Sequence, residues 1–283
     1  MSENYYTVAM ALTWGQHALE DAQITPTPAL DAEILLGHAT GATKEEIYFE
    51  PTTEVLEKDY HEYERLIARR KNGEPVAYII SKKEFFGIDF SVDKSVLIPR
   101  PETEELVDKA LELINNNNNK KNFGVLDLGT GSGAIAISIA MSLKKWHKDH
   151  KFEYKNISIF ASDISEKALN KARENAKNHE VDHEIEFIKS DLLGDIKNIK
   201  KVDLIVANLP YLDPVNRNNY AVDLSYEPHL ALYAGENGMD YYQNLFGQIK
   251  KLAIKPMVIV ECEEYQKEAL ENLYSNIICV TVD

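Results

Sequence analysis

Residues 124–146 read GVLDLGTGSGAIAISIAMSLKKW, and this stretch decides the fold class. GVLDLGT is a short apolar run that enters a glycine loop. SGAIAISIAMSLKKW then carries helical apolar spacing. Gly129, Gly131 and Gly133 permit tight turning and close approach of the backbone. The helix that follows begins with its free amide groups facing a ligand. The spacing is GxGxG followed by Ala134, which departs from the dinucleotide pattern GxGxxG, and no Gly-Lys-Ser/Thr marks a phosphate loop. The loop, with Thr130 and Ser132 between its glycines, can approach a small zwitterionic ligand such as an amino-acid moiety. Its plain alternative is a tight strand-to-helix turn.

Downstream, strand and helix signals alternate. Strands are expected at ISIFASD (157–163), IEFIKSD (185–191), VDLIVANLP (202–210), MVIVEC (257–262) and NIICVTV (276–282), with helices such as SEKALNKARENAKNH (165–179) between them. Such alternation predicts an α/β fold, a mostly parallel sheet with helices on both faces. Ligands of these sheets bind beyond the carboxyl ends of the strands, so the strand tips carry the argument. Asp163 can accept two hydrogen bonds from a diol, or cap the next helix in company with Ser165. Asp191 beside Leu192 suits the edge and face of a planar ring. Asn208-Leu209-Pro210-Tyr211 ends its strand in an amide, a rigid ring and an aromatic, where a simple turn is the alternative.

Upstream, residues 1–80 read as helical and without strands. VAMALTWGQHALEDAQI (8–24) stops before Thr25-Pro26-Thr27-Pro28, and ALDAEILLGHATG (29–41) stops at Gly41. TKEEIYFEP is a short third piece, and TEVLEKDYHEYERLIARRKNG (53–73) is a longer amphipathic helix. KKEFFGIDFSVDKSVLIP (82–99) alternates about Gly87 and Asp93 as a β-hairpin does. RPETEELVDKALELI (100–114) opens a helix with Pro101 and acids in its first turn. The polar low-complexity stretch NNNNNKKN at 115–122 reads as a flexible surface loop. The expected division is a helical domain over 1–80, a hairpin linker over 81–99, and an α/β domain over 100–283.

Of the 283 residues, 44% are hydrophobic, enough for one large or two modest cores. The sequence has no apolar run long enough to span a membrane, and MSENYYTVAM lacks the pattern of a signal peptide. Cys262 and Cys279 sit in apolar runs and read as reduced core residues. The eight histidines are scattered, and no zinc spacing occurs, so no metal is expected. A soluble, cytoplasmic protein is the expectation. The formal net charge of −15 opposes a phosphate backbone as substrate. The basic clusters at 69–71 and 144–151 are short and read as solvated faces.

The glycine loop, Asp163, Asp191 with Leu192, and the Asn-Leu-Pro-Tyr tip together resemble the class I S-adenosylmethionine-dependent methyltransferases. LIPRPETEELV (97–107) and EPHLALYAGENGMDYY (227–242) further resemble two signatures of the release factor glutamine methyltransferases, the HemK/PrmC family. The likeness covers nearly the whole chain. It implies a Rossmann-like sheet of seven strands, one of them reversed, behind a helical domain that recruits the substrate. S-adenosyl-L-methionine is the implied cofactor, held by Gly129, Thr130, Gly131, Ser132, Gly133, Asp163, Asp191, Leu192 and Asn208. The implied catalytic set is Asn208, Leu209, Pro210 and Tyr211.

On this reading a monomer methylates the side-chain amide of a glutamine, that of the Gly-Gly-Gln loop of a peptide chain release factor. Nucleic acid and membrane are not expected as partners. A ribosomal protein glutamine and a ribosomal RNA adenine are the rival substrates, and a cofactor-binding recruiting module is the non-enzymatic alternative. Such an amide is a poor nucleophile, because its lone pair is delocalised into the carbonyl. Two acceptors aimed at its N–H groups, the Asn208 side-chain oxygen and the carbonyl of Leu209, would favour a pyramidal nitrogen. Tyr211 would stack on the amide.

The sequence departs from the family at three places. Leu209 replaces a usual proline, Glu261-Cys262-Glu263 replaces Glu-Ile-Gly, and a final strand with Gly and Arg does not follow VTVD. Only the first is expected to touch the site. Arg100 and Glu102 are expected near the methionine end of the cofactor, or as a helix start and a surface ion pair. Glu227-Pro228 is expected to brace the substrate loop, or to form a plain turn.

Overall fold

Two units make up the chain in a computed structural model that describes residues 6–148, 156–213, 215 and 222–282. Met1–Lys82 with Ala221–Tyr226 form one, and Lys83–Tyr220 with Glu227–Asp283 form the other. Residues 1–5 of the stretch read for a signal peptide and 149–151 of the basic cluster at 144–151 lie outside the described residues.

The first unit comprises β1 (Tyr6–Thr7), α1 (Val8–Ala22), α2 (Pro28–Thr40), α3 (Lys44–Phe49), β2 (Glu54–Val55), α4 (Glu57–Lys71) and α5 (Val76–Ile79). Thr7 caps α1 through Met10 N, and Gly41 ends α2 in the left-handed region. Leu19, Leu35, Leu36, Tyr63, Leu66 and Ile67 form its core, as the helical spacing requires. The expectation of no strands needs correction, because Tyr6 and Thr7 pair antiparallel with Val55 and Glu54. That pairing also delays the start of α4 to Glu57. A two-residue ladder has no periodicity to read. Arg70 is buried and donates to Asp31 Oδ2 at 2.7 Å and Asp223 Oδ1 at 2.8 Å, which ties the 222–226 segment into this unit.

The hairpin of β3 (Lys82–Phe85) and β4 (Ile88–Ser91) belongs to the second unit but for its first residue, Lys82. The unit continues through α6 (Glu104–Asn116), β5 (Phe123–Leu128), α7 (Ala134–Lys148), β6 (Ile157–Asp163), α8 (Glu166–Asn178), β7 (Ile185–Lys189) and β8 (Leu204–Ala207). It ends with α9 (Asp240–Leu252), β9 (Met257–Glu263), α10 (Glu264–Leu273) and β10 (Ile277–Val282). The hairpin is docked on α8. Asn175 accepts from Ser91 N at 2.8 Å and donates back to Ser91 O at 3.0 Å.

Six parallel strands form one sheet in the order β10-β9-β8-β5-β6-β7. The resemblance implied seven with one reversed. Here β10 hydrogen-bonds directly to β9 in parallel, so no reversed strand stands between them. Every residue of β5 and of β8 is buried, because helices cover both faces. Leu126, Leu128, Ile205, Ala207, Val258, Val260 and Cys262 point to the face packed by Tyr242, Leu245 and Phe246 of α9 and Leu270 of α10. The alternate residues, Asp127 and Glu261 among them, point to the opposite face. There α6 touches β8 and β9, and α7 touches β5 and β6. Strand order runs outward from β5 to β6 and β7, then returns to β8 on the other side of β5. The reversal opens a crevice beyond the tips of β5 and β8, the usual ligand position in such a sheet.

Candidate active site at the strand tips

A cleft occupies that crevice. Gly129 and Gly131 from the β5 loop line it, together with Asp163 after β6, Asp191 and Leu192 after β7, and Asn208, Leu209 and Pro210 after β8. Four strand tips named from the sequence thus meet in one place. Of the loop residues, Thr130, Ser132 and Gly133 do not line the cleft, and neither does Tyr211. Thr130 donates its hydroxyl to Asp127 Oδ2 at 2.6 Å, Gly133 N donates to Thr130 O at 2.8 Å, and Ser132 O accepts from Asn175. These three shape the loop from behind. Gly131 has φ +55°, and a Cβ added there would meet only Gly129 O at 4.0 Å, so it would project into open space. Its backbone N–H donates to Asp163 Oδ2 at 3.0 Å.

Asp163 takes that bond on one oxygen and Ser165 N on the other, at 2.8 Å. Ser165 itself caps α8, through Ala168 N. The cap of this helix is therefore Ser165, and Asp163 keeps spare lone pairs facing the cleft, because each carboxylate oxygen has more than one. Burial raises the Asp163 carboxyl, and the bonds from Ser165, Gly131 and Ile164 partly hold it down. Asp127 behind the loop is buried further, and burial pushes it up to about 7. Its Oδ1 has no hydrogen-bond partner, and neither has the buried Ser162 Oγ, whose residue lines the cleft.

Sequence reasoning missed the other walls. Ser95, Val96 and Leu97 close one side, Pro228, Leu230, Ala231 and Tyr241 another, and Ile164 and Ala168 a third. Leu97 and the second group fall inside the two family signatures, which flagged them without assigning chemistry. The signatures are joined to each other. Glu227 is 3% exposed and accepts from Ile98 N at 2.9 Å and from the Arg100 guanidinium. Arg100 and Glu102 are not among the residues that line the cleft. Arg100 and Glu227 brace two walls against each other.

Behind Asn208 lies a polar network that the sequence reading also missed. Asn208 Nδ2 donates to Thr103 Oγ1 at 3.0 Å, and Thr103 Oγ1 donates to Glu261 Oε2 at 2.6 Å. Tyr211 gives its hydroxyl to Glu261 Oε1 at 3.1 Å. Burial raises the Glu261 carboxyl, while bonds from Thr103, Tyr211 and Asn208 lower it. Burial, then the charge of Glu261, raise the Tyr211 phenol, so it stays a donor. Within the Glu261-Cys262-Glu263 stretch the contact to the tetrapeptide is made by Glu261, the residue that keeps the family pattern, and not by the departing Cys262 and Glu263. Glu261 follows the Ala207–Val260 pair by one step of register, which brings it beside residue 208. Tyr211 O accepts from the buried Gln266 at 3.3 Å. Gly238, at φ +67°, packs so closely on Tyr211 O that an added Cβ would lie 1.9 Å from it.

Comparison with known proteins follows the same lines. Residues 10–80 match the PrmC N-terminal domain, and residues 119–279 match a methyltransferase domain. A release factor glutamine methyltransferase of Koribacter versatilis (strain Ellin345) is 37% identical over 230 residues, which cover 81% of this chain and 76% of that one. The chain belongs to the release factor glutamine methyltransferase family. A bifunctional methyltransferase of Rickettsia typhi (strain ATCC VR-144 / Wilmington) is 34% identical over 267 residues. These cover 88% of this chain and 49% of the relative, so this family member spans about half its length. Among solved structures, the hMettl16 catalytic domain in complex with MAT2A 3′UTR hairpin 6 superposes with a TM-score of 0.51 at 15% identity. It covers 74% of this chain and 72% of its own, a likeness of fold alone.

S-adenosylmethionine fits what this family member presents. The cleft offers a carboxylate with spare lone pairs at Asp163, an unpartnered buried hydroxyl at Ser162, apolar walls at Ile164, Leu192 and Leu230, and a loop without side-chain bulk at Gly131. Among the described residues, no group of three or more His, Cys, Asp and Glu is arranged to hold a metal ion. No described helix is long and apolar enough to cross a membrane.

Proposed function

We propose that this chain methylates the side-chain amide nitrogen of a protein glutamine, that of the Gly-Gly-Gln loop of a peptide chain release factor. One observation carries the reading: Asn208, Leu209 and Pro210 line the cleft at the reversal of strand order, next to the glycine loop and Asp163. Bound S-adenosylmethionine supplies an electrophilic sulfonium methyl. Gly129, Gly131, Asp163, Asp191 and Leu192 would hold it. Thr130, Ser132 and Gly133 keep the loop in shape.

Asn208 and the backbone carbonyl of Leu209 accept hydrogen bonds from the two amide protons of the glutamine. Two such acceptors favour a nitrogen whose lone pair is free to attack, and they stabilise the positive charge that develops on it. Leu209 is compatible with this, because the chemistry uses its carbonyl and its side chain packs into the core with Leu128. Tyr211 closes the tetrapeptide by its bond to Glu261, and its ring shields the buried side of the loop from water.

The unit of residues 1–82 recruits the protein substrate, and the enzyme acts as a cytoplasmic monomer. A net charge of −15 speaks against a nucleic acid substrate. Incubation of the full chain with S-adenosylmethionine, a release factor and ribosomal RNA, followed by mass spectrometry, tests the reading. Methylated glutamine is expected in the Gly-Gly-Gln loop. Methylated adenine without methylated glutamine overturns it.

A further inference from the structure

Thr103 ends the 3-10 turn Pro101–Thr103 that leads into α6, with helical backbone angles of φ −66° and ψ −17°. Here it caps nothing. Its side chain is 5% exposed, and its hydroxyl is engaged by two distant residues, Asn208 and Glu261. Its hydroxyl is turned toward the strand tips.

The direction of this chain of bonds is set at its far end. Glu261 accepts the Tyr211 hydroxyl on one oxygen and the Thr103 hydroxyl on the other, so the one proton of Thr103 is spent on it. That leaves the Thr103 oxygen with lone pairs alone for Asn208. The amide nitrogen of Asn208 satisfies them. The reversed side chain would set its carbonyl oxygen against an oxygen with no proton to give, 3.0 Å away. Both ends of the tetrapeptide are anchored to the same carboxylate, since Tyr211 holds its other oxygen. Glu261 is 1% exposed, so no water competes for these bonds.

We propose that Thr103 and Glu261 are positioning residues, which fix the Asn208 side chain so that its carbonyl oxygen, and not its amide, is offered to the substrate. A free asparagine offers donors and an acceptor in nearly the same shape. Presented the wrong way, it would set its own N–H groups against those of the glutamine. The network removes that half of the conformers before substrate arrives, which is preorganisation of the acceptor. This inference rests on the reading of Asn208 as acceptor to a glutamine amide.

Four full-length variants test it: Thr103→Val, Thr103→Ser, Asn208→Ala and the double variant Asn208→Ala with Thr103→Val. Single-turnover methylation should fall about 10- to 100-fold in Thr103→Val, with cofactor affinity changed less than about two-fold. Thr103→Ser restores the hydroxyl and should stay within about three-fold of the native rate. In the Asn208→Ala background, Thr103→Val should cost nothing more, because its effect passes through Asn208. Equal loss in the valine and serine variants, or the same loss with and without Asn208, would overturn the proposal.

A second readout needs no turnover. In protein labelled with nitrogen-15 asparagine, the Asn208 side-chain amide protons should exchange slowly in the native chain and in Thr103→Ser, and fast in Thr103→Val. Fast exchange in the native chain sinks the clamp even if glutamine is methylated. Slow exchange that depends on the hydroxyl, in a protein that leaves glutamine alone, supports the clamp and places the error in the substrate reading.

Discussion

Asp127→Asn should change how stability depends on pH. Asp127 is 1% exposed, accepts from Thr130 and from Ala136 N at 3.1 Å on one oxygen, and leaves the other unpartnered. Burial, with the nearby charge of Asp163, raises it from 3.8 to about 7. A raised carboxyl means that the folded state binds the proton more tightly than the unfolded one. Stability is therefore greatest below the unfolded value and falls as pH rises toward the folded value, above which the loss is complete. The full span of about three pH units corresponds to roughly 4 kcal/mol, of which about 2.5 kcal/mol falls between pH 5 and pH 8.

Asparagine keeps an acceptor for Thr130 and Ala136 but places N–H groups where Oδ1 has no partner, a fixed cost of about 1–3 kcal/mol. The variant should thus be the weaker protein at pH 5 and recover ground steadily toward pH 8. Urea unfolding of both proteins at several pH values measures the difference, in which all other titrating groups cancel. If the two curves stay parallel within about 0.5 kcal/mol, Asp127 does not titrate with folding and the argument from its burial is wrong.

Asp163→Ala should lower cofactor affinity about 10- to 100-fold by calorimetry, because a charged acceptor leaves the cleft; unchanged affinity removes Asp163 from the site. Gly238→Ala forces a methyl group onto Tyr211 O and should displace the tetrapeptide, cutting turnover at least about 10-fold and stability by about 2 kcal/mol. Gly247→Ala in α9, where an added Cβ meets nothing within 4 Å, is the control and should be neutral or stabilising by up to about 1 kcal/mol. Leu209→Pro should keep methyl transfer, since the carbonyl remains. It should lose about 1–2 kcal/mol in thermal unfolding, because a buried leucine leaves the core cluster.

Much of this protein is written locally. The six strands and the helices between them follow from apolar period, and the glycine loop and the residues at four strand tips follow from where those periods stop. The parallel arrangement then directs attention to the carboxyl ends, so Gly129, Gly131, Asp163, Asp191, Leu192 and Asn208 are legible without coordinates. The two-residue ladder of β1 and β2 is not legible, being too short for any period. Nor is the direct pairing of β10 with β9, since register is a property of two segments together.

The same limit hid the support of the tetrapeptide Asn208-Leu209-Pro210-Tyr211. Thr103 reads as a helix start, Glu261 as one acid in an apolar strand, and Tyr211 as a ring for stacking. Only the strand order places β9 beside β8 with α6 against both, so that Thr103, Asn208, Tyr211 and Glu261, paired across 105, 158 and 50 positions, share one set of hydrogen bonds. Sequence pattern determined which groups stand at the tips of the strands. Tertiary structure decided which way Asn208 faces, because the direction of a hydrogen-bonded side chain is set by partners that the chain brings together only after the sheet has formed.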